Sequence, residues 1–447
     1  MKISFVSLGC DKNLVDSEMM TGELARAGYE FTDDETQADI VVVNTCCFIS
    51  DAKEESIQTL LELGELRKQG KLKILAACGC LAERYKDEIL KEIPEIDVCV
   101  GTLAIDRIVE AIDGALKGTC SCIYEDIDRT PPVGLKRIVT TGGHYAYLKI
   151  AEGCDKHCTY CVIPSVRGRF RSIPMEELIR QAGELSSFGV KELILVAQET
   201  TLYGIDIYGR KSLHILINEL SKIEGIHWIR LLYCYPEEIY DELIECIAGN
   251  PKVCHYLDMP IQHISDNILN KMGRQTTEAR LRQNISKLRE RIPDIALRTS
   301  LICGFPGEGE ADFEKLYRFV NEMEFDRLGC FTYSKEENTP AAEMPGQIEE
   351  EEKQRRKNEL MELQQAVSYE KSERFKGKRL DVIIEGKLSG EDTYVCRTYR
   401  DAPDVDGYLF LNTDKSFMSG DFARVIVTGF NEYDLTGELY DENESAE

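Results

Sequence analysis

Apolar and polar positions alternate in two registers along the first hundred residues. Short, nearly unbroken apolar runs at residues 2–8, 39–45, 71–77 and 96–101 read as strands buried on both faces. Between them, residues 13–27, 52–68, 82–92 and 105–117 carry apolar side chains at helical spacing. Strand and helix taking turns predicts a doubly wound α/β domain with a parallel sheet over residues 1–117. Residues 118–143, with Pro131, Pro132 and the pair Gly142 and Gly143, break this rhythm and predict a linker.

A second alternating block follows. Strand-like runs at 145–150, 192–197, 228–233, 256–260, 296–303 and 326–333 are separated by helical stretches, among them 175–187, 236–248 and 277–291. Six strand–helix units in one sequential rhythm predict an incomplete (β/α)6 barrel, open on one side, within residues 144–375. On such a frame chemistry sits at the C-terminal ends of the strands. The charge-rich helix at 348–376 reads as a solvated face. After Gly377, short strands at 379–384, 394–399, 408–411 and 422–428 predict a small antiparallel β-barrel over 376–440, and the acidic tail 441–447 reads as disordered. The fold class is therefore a multidomain α/β protein with an all-β C-terminal barrel.

Composition narrows the partners. Apolar runs such as 40–43 and 193–197 fall far short of the ~18 residues a membrane span needs, and Asp11 with Lys12 interrupts the only N-terminal apolar stretch. A cytoplasmic protein with no membrane partner is expected. The formal net charge is −26, the reverse of the basic footprint of a protein that binds phosphates. A basic protein partner suits it better than nucleic acid. The 17 cysteines, about 4% of the chain, are too sparse for a disulfide scaffold and in a reducing compartment point to metal ligands, catalytic thiols or small core residues.

The sharpest signal is Cys154, Cys158 and Cys161, spaced C-x3-C-x2-C in a loop just past the first strand of the barrel block. Three thiolates on a short loop can ligate three irons of a cubane cluster and leave the fourth open. A zinc knuckle would want a fourth Cys or His at regular spacing, and His157 lies inside the loop where it could hardly close the same tetrahedron. A second set follows strand ends in the N-terminal block: Cys10 after Gly9, Cys46 after Thr45 and Cys80 after Gly79. The C-terminal edge of a parallel sheet is where open α/β folds gather ligands, so these three thiols are expected to converge. Cys47 and Cys78, beside them, read as structural. His144, His157 and His263 receive no role.

The barrel-loop spacing, with Tyr160 directly before its third cysteine, resembles the radical S-adenosylmethionine superfamily. The resemblance implies that S-adenosylmethionine chelates the open iron and is cleaved to a deoxyadenosyl radical. Gly304, Phe305, Pro306, Gly307 and Glu308, ending the fifth barrel strand, are similar to the superfamily's cofactor-contacting segment. Gln198, Glu199 and Thr200, ending the second, are similar to its groups for the methionine moiety. Over nearly the whole chain, through Asn44-Thr45-Cys46-Cys47-Phe48, Gly79-Cys80-Leu81-Ala82-Glu83-Arg84-Tyr85 and Met259-Pro260-Ile261-Gln262-His263, the sequence resembles the methylthiotransferase family. That family adds an N-terminal three-cysteine cluster domain and a C-terminal TRAM barrel to the radical core.

The resemblance implies two 4Fe-4S clusters, one on Cys154, Cys158 and Cys161 and one on Cys10, Cys46 and Cys80, together with S-adenosylmethionine and an external electron donor such as flavodoxin or ferredoxin. One branch modifies a transfer-RNA adenosine, and the other an aspartate of a small-subunit ribosomal protein. Gly9-Cys10-Asp11-Lys12-Asn13 and the segment from Arg400 to Gly407 are similar to the second branch, although that branch usually has Pro at the place of Asp11. Residues 376–447 hold 8 basic and 16 acidic residues, so phosphates should be repelled and a basic ribosomal protein attracted, with Asp401, Asp404 and Asp406 expected to face it. The alternatives that remain are the transfer-RNA activity and, more distantly, a two-cluster electron carrier.

Overall fold

The computed structural model describes residues 1–119 and 121–440, so the expectation for the acidic tail lies outside the described residues. The N-terminal sheet has six parallel strands: β1 (Lys2–Ser7), β2 (Glu30–Phe31), β3 (Ile40–Thr45), β4 (Ile74–Gly79), β5 (Val98–Val100) and β6 (Ser121–Ile123), in the order β2-β1-β3-β4-β5-β6. β3 and β4 are buried on both faces, which is why they read as continuous apolar runs. Strand order reverses between β1 and β3, the switch point at which a doubly wound fold opens a crevice beyond its strand ends.

Three details differ from the sequence reading. β2 is two exposed residues and shows no apolar pattern. β6 lies inside the stretch expected to be a linker, pairs with β5 at Cys99 and Cys122 among others, and sends Ile123 into the core. The single helix expected at 82–92 is broken into α3 (Cys80–Tyr85), which follows α1 (Asp11–Arg26) and α2 (Ser50–Lys68), and a short helix Asp87–Glu92. The break falls at Lys86, whose φ of 43° no helix interior accepts.

The central block is a six-stranded parallel sheet in sequential order, β7 (Tyr145–Lys149), β10 (Glu192–Val196), β11 (Trp228–Leu231), β12 (Val253–Asp258), β13 (Ala296–Cys303) and β14 (Arg327–Thr332). β7 and β14 do not meet, so the (β/α)6 barrel is open. The short antiparallel pair β8 (Ala151–Glu152) and β9 (Arg171–Ser172) pinches the cysteine loop at its base. Side chains on the outer face of the strands pack beneath the helices in one large core. Those on the concave face, including Tyr145, Tyr147, Val196 and Tyr256, share a core with Val15, Met19 and Met20 of α1 and with the helix Ile108–Leu116. The N-terminal domain thus closes the open barrel, and α1 is buried nearly all round, its Lys12, Asp16, Glu18 and Glu23 included.

The charged helix Glu350–Glu373 corrects its sequence reading in part. Lys353, Arg356, Leu360, Gln364 and Val367, at intervals of three and four, form a buried stripe against β14 and the helix Glu310–Met323. Its buried charges are satisfied: Lys353 Nζ donates to the Tyr333 carbonyl at 3.0 Å and Arg356 meets Glu308 at 2.8 Å.

The C-terminal domain is a closed barrel of five strands, β15 (Arg379–Lys387), β16 (Thr393–Thr398), β17 (Leu409–Asn412), β18 (Phe422–Phe430) and β19 (Leu435–Leu439), ordered β15-β16-β17-β19-β18. β19 was not expected, and its parallel pairing with β17 closes the barrel, so the barrel is not purely antiparallel.

The largest correction concerns the acidic loop. Asp401 and Asp406 do not face solvent: Asp401 pairs with Arg327, and Asp406 accepts from Tyr256 Oη at 2.7 Å and lies 3.5 Å from Arg298. Asp404 accepts from Tyr145 Oη at 3.1 Å but stays exposed, as expected. Beside them Glu192, at the start of β10, sits between Arg230 and Arg397, 2.7 Å from each. The loop docks the C-terminal barrel onto the N-terminal ends of the central strands, opposite the end expected to carry chemistry.

Candidate functional site: two three-cysteine centres

The N-terminal centre is built by tight turns at three strand ends. Gly9 (φ 88°) carries the chain so close to the next strand that a Cβ there would lie 2.7 Å from Cys46 Cβ. Gly79 (φ 86°) turns β4 into Cys80, the first residue of α3. Asn13 fastens the turns together, its amide donating to the Leu8 carbonyl at 3.1 Å and the Thr45 carbonyl at 3.0 Å, while Asn44 donates to the Asn13 carbonyl at 2.7 Å. Cys10, Cys46 and Cys80 end up within electrostatic reach of one another, Cys10 exposed and the other two buried. Burial pushes the Cys80 thiol up to about 12, with Arg167 pulling the other way. Thiols this reluctant to ionise need a cation or metal to become thiolates. Cys47 packs with Leu60 and Leu63 in the core on one face of the sheet, and Cys78 with Val15 and Val98 in the core on the other.

The second centre is the loop between β8 and β9. Gly153 (φ 76°) starts it, because a Cβ there would strike the Arg169 carbonyl. Thr159 pins it, its N–H donating to the Met272 carbonyl at 3.0 Å and its hydroxyl to the Lys271 carbonyl at 2.8 Å. Cys154 and Cys158 are buried and Cys161 is partly exposed. Burial raises the Cys154 thiol to about 12 and the Cys161 thiol as well. Among the described residues no three His, Cys, Asp or Glu side chains gather tightly enough for a single metal ion. A cubane seats each thiolate on its own iron and so wants its three sulfurs further apart.

Buried polar atoms without partners surround this loop: Tyr160 Oη, Gln198 Oε1, Glu199 Oε2, and Nε and Nη1 of Arg274. Each costs about 1–3 kcal/mol if left unsatisfied, so together they mark a place for a ligand with both donors and acceptors. Burial lifts the Glu199 carboxyl to about 7. The Arg274 guanidinium lies 4.2 Å from the centroid of the Tyr235 ring, and the Tyr235 hydroxyl is 3.7 Å from Cys158 Sγ. Arg274 escaped the sequence reading because it belongs to no spacing motif.

The other expected cofactor contacts also have partners within the fold. Thr200 ties β10 to β11, its hydroxyl donating to the Leu232 carbonyl at 2.5 Å. Gly304 faces the stem of Lys353, Gly307 donates its N–H to the Gly346 carbonyl at 2.8 Å, and Glu308 is held by Arg356. Pro306 is buried in the same turn. Phe305 is wholly buried with its ring edge-on to Tyr160, centroids 6.3 Å apart, so this turn braces the cysteine loop from below. A surface hollow of about 850 Å³ lined by Asp241, Glu245, Cys246 and Lys252 touches neither centre.

The residues just after Cys10 touch the barrel across the domain interface. Tyr233, just past β11, holds the left-handed φ of 58°, an arrangement that costs roughly 1–3 kcal/mol and persists only where surroundings enforce it. Here Lys12 Nζ lies 3.0 Å from the centroid of its ring and Asp11 accepts from its hydroxyl at 3.2 Å. Sequence comparison matches three segments of the chain to known families. Residues 2–101 match the uncharacterized protein family UPF0004, residues 148–320 the radical SAM superfamily and residues 377–439 the TRAM domain. The chain is 58% identical over 437 residues to a ribosomal protein uS12 methylthiotransferase RimO of Lachnoclostridium phytofermentans, covering 98% of this chain and 99% of that one. It is 49% identical over 446 residues to a protein of the same name from Clostridium perfringens, covering 99% of each.

The chain belongs to the RimO methylthiotransferase family.

It is a radical S-adenosylmethionine enzyme whose cofactors are S-adenosylmethionine and 4Fe-4S clusters. The fold extends to more distant proteins. The radical methyltransferase TsrM of Kitasatospora setae, solved with cobalamin and a [4Fe-4S] cluster, is similar with a TM-score of 0.56 at 14% identity, covering 76% of each chain. The residues present fit the family's cofactors. Three soft thiol donors at each centre suit iron–sulfur ligation, and the orphaned atoms of Gln198, Glu199 and Arg274 suit the ammonium and carboxylate of an amino acid. No helix among the described residues is long and apolar enough to cross a membrane.

Proposed function

We propose that the chain transfers a methylthio group to the β-carbon of an aspartate in the small-subunit ribosomal protein uS12. The observation that carries this reading is the presence of two separate three-cysteine sets in two domains that pack against each other. Three protein ligands leave one iron of each cluster for an outside ligand, whereas an electron carrier would use four. Cys154, Cys158 and Cys161 would hold the cluster that supplies the electron for cleaving S-adenosylmethionine into methionine and a deoxyadenosyl radical, and Cys10, Cys46 and Cys80 would hold the one that supplies the sulfur. An unactivated C–H bond requires such a radical, since no side chain removes that proton at neutral pH.

The chain's own residues bind and exclude. Nε and Nη1 of Arg274 receive the methionine carboxylate of the cofactor, and Gln198 and Glu199 accept from its ammonium. Tyr160, backed by Phe305, holds the loop's shape while burial of Cys154 and Cys158 keeps water away. In this reading residues 1–117 together with β6 form the sulfur-holding unit, 144–375 the radical unit and 376–440 a barrel that docks beneath it. The substrate is a basic protein drawn by the overall charge of −26 rather than by Asp401 and Asp406, which are committed to docking. Electrons come from a flavodoxin or ferredoxin, and the reaction belongs to the cytoplasm.

The test is anaerobic incubation of the reconstituted chain with reductant, S-adenosylmethionine and either uS12 or transfer RNA, followed by mass spectrometry of both. A methylthio group on one uS12 aspartate, with transfer RNA unchanged, is expected. Product on transfer RNA alone would overturn the choice of substrate.

A further inference from the structure

One buried cation joins the two centres. Arg167 ends the helix Ile163–Arg167, six positions after Cys161, yet its guanidinium lies in the N-terminal centre and is only 1% exposed. Its Nη1 donates to Asp16 at 2.7 Å and to Glu152 at 3.2 Å, and its Nη2 to Asn13 Oδ1 at 2.5 Å. Its Nε donates to Cys80 Sγ at 3.4 Å. Asp16 and Asn13 belong to α1 of the N-terminal domain, whereas Glu152 directly precedes the cysteine loop of the barrel and accepts from Gln198 at 3.1 Å. Lys149 completes the group by pairing with both Asp16 and Glu152. Two cations and two carboxylates balance, which is what makes the group bearable in the interior.

We propose that Arg167 is a positioning residue that completes the N-terminal cysteine centre from the barrel side and raises the reduction potential of the cluster held there. Resting on the cluster assignment above, the inference adds a residue that neither cysteine spacing contains. An N–H bond to a ligating sulfur, backed by a full positive charge, withdraws electron density and favours the more negative, reduced form. The same fork holds Asn13, which fastens the turns leading to Cys10 and Cys46, so one side chain sets both the geometry and the field of the centre. The N-terminal domain cannot make this contact alone, because the donor comes from the barrel.

The experiment uses the full chain with Cys154→Ala, Cys158→Ala and Cys161→Ala, which isolates the N-terminal centre, reconstituted anaerobically and titrated potentiometrically with electron paramagnetic resonance detection. Adding Arg167→Gln is expected to lower the midpoint by about 59 mV, a tenfold change in the one-electron equilibrium. Arg167→Lys, keeping the charge without the fork, should recover part of that shift. Asp16→Asn, which removes a negative charge and leaves Arg167 in place, should move the midpoint upward. Should Arg167→Gln fail to load iron, the opposite signs of the Lys and Asp16→Asn variants relative to the parent still decide. Identical midpoints across the variants at equal iron content would overturn the role of Arg167 alone. A parent that holds no cluster on Cys10, Cys46 and Cys80 would instead overturn the assignment of the centre, and this inference with it.

Discussion

Replacing Asp401 by Asn distinguishes a docking loop from a substrate-steering one. Its side chain is buried, paired with Arg327 and accepting from Thr398 Oγ1 at 2.7 Å. Burial pushes its carboxyl up, but Arg327 and Arg400 more than offset that and hold it below the usual carboxylate range. Asn keeps the shape and the Thr398 contact while leaving Arg327 short of its closest counter-charge. Breaking a buried ion pair from one side costs about 3–5 kcal/mol. The chain carries a built-in reporter: its single tryptophan, Trp228, meets Phe422 of the C-terminal barrel edge-on at 5.1 Å between centroids. With a urea dependence of roughly 2 kcal/mol per molar, a loss of about 4 kcal/mol lowers the fluorescence midpoint by about 2 M. The sign with pH follows from the depressed carboxyl. The pair's contribution is fully present above the unfolded pKa of about 3.9 and is lost as pH falls through the lower folded value. An unchanged midpoint, with slower association of the basic substrate instead, would refute the docking account and restore Asp401 to the surface role expected from sequence.

Further outcomes are open to direct measurement. The Cys154→Ala, Cys158→Ala, Cys161→Ala variant should fall from about eight irons per chain to about four, and an unchanged iron assay would exclude that loop as a cluster site. Replacing Cys10, Cys46 and Cys80 by Ala should abolish methylthio transfer while deoxyadenosine still forms from S-adenosylmethionine; product retained in that variant would remove the sulfur-carrying role. Glu199, raised by burial to about 7, folds protonated below that pH, so its ionisation draws stability down as pH rises from about 4.5 to 7. Glu199→Gln should melt with the wild-type apoprotein at pH 5 and be more stable at pH 8 by up to about 3 kcal/mol, and equal melting at both values would show that Glu199 ionises freely.

Much of the frame is legible in the linear pattern because it is locally caused. Each central strand is covered on both sides, so each leaves an apolar run that marks it within a few residues, and the parallel order follows from the strand–helix rhythm. The loop of Cys154, Cys158 and Cys161 is legible for the same reason, since its three cysteines lie within eight residues. That Cys10, Cys46 and Cys80 would converge follows from a general property of strand ends in parallel sheets.

What the pattern could not express are partnerships set by packing between distant segments. β6 and β19 are short and owe their existence to the edges they complete, β5 and β17. The acidic loop looked like surface because aspartates usually are; only the docked fold brings Arg327 and Arg298 to Asp401 and Asp406. The charged stripe of the helix Glu350–Glu373 became interior once Glu308 and the Tyr333 carbonyl came to meet it. No spacing or periodicity marks Arg167; the N-terminal domain laid into the open barrel puts Cys80, Asn13 and Asp16 around it. Periodicity and spacing report what one element does with its own neighbours, whereas a buried charge is explained only by partners that the chain supplies from far away, and those are decided when the domains close on one another.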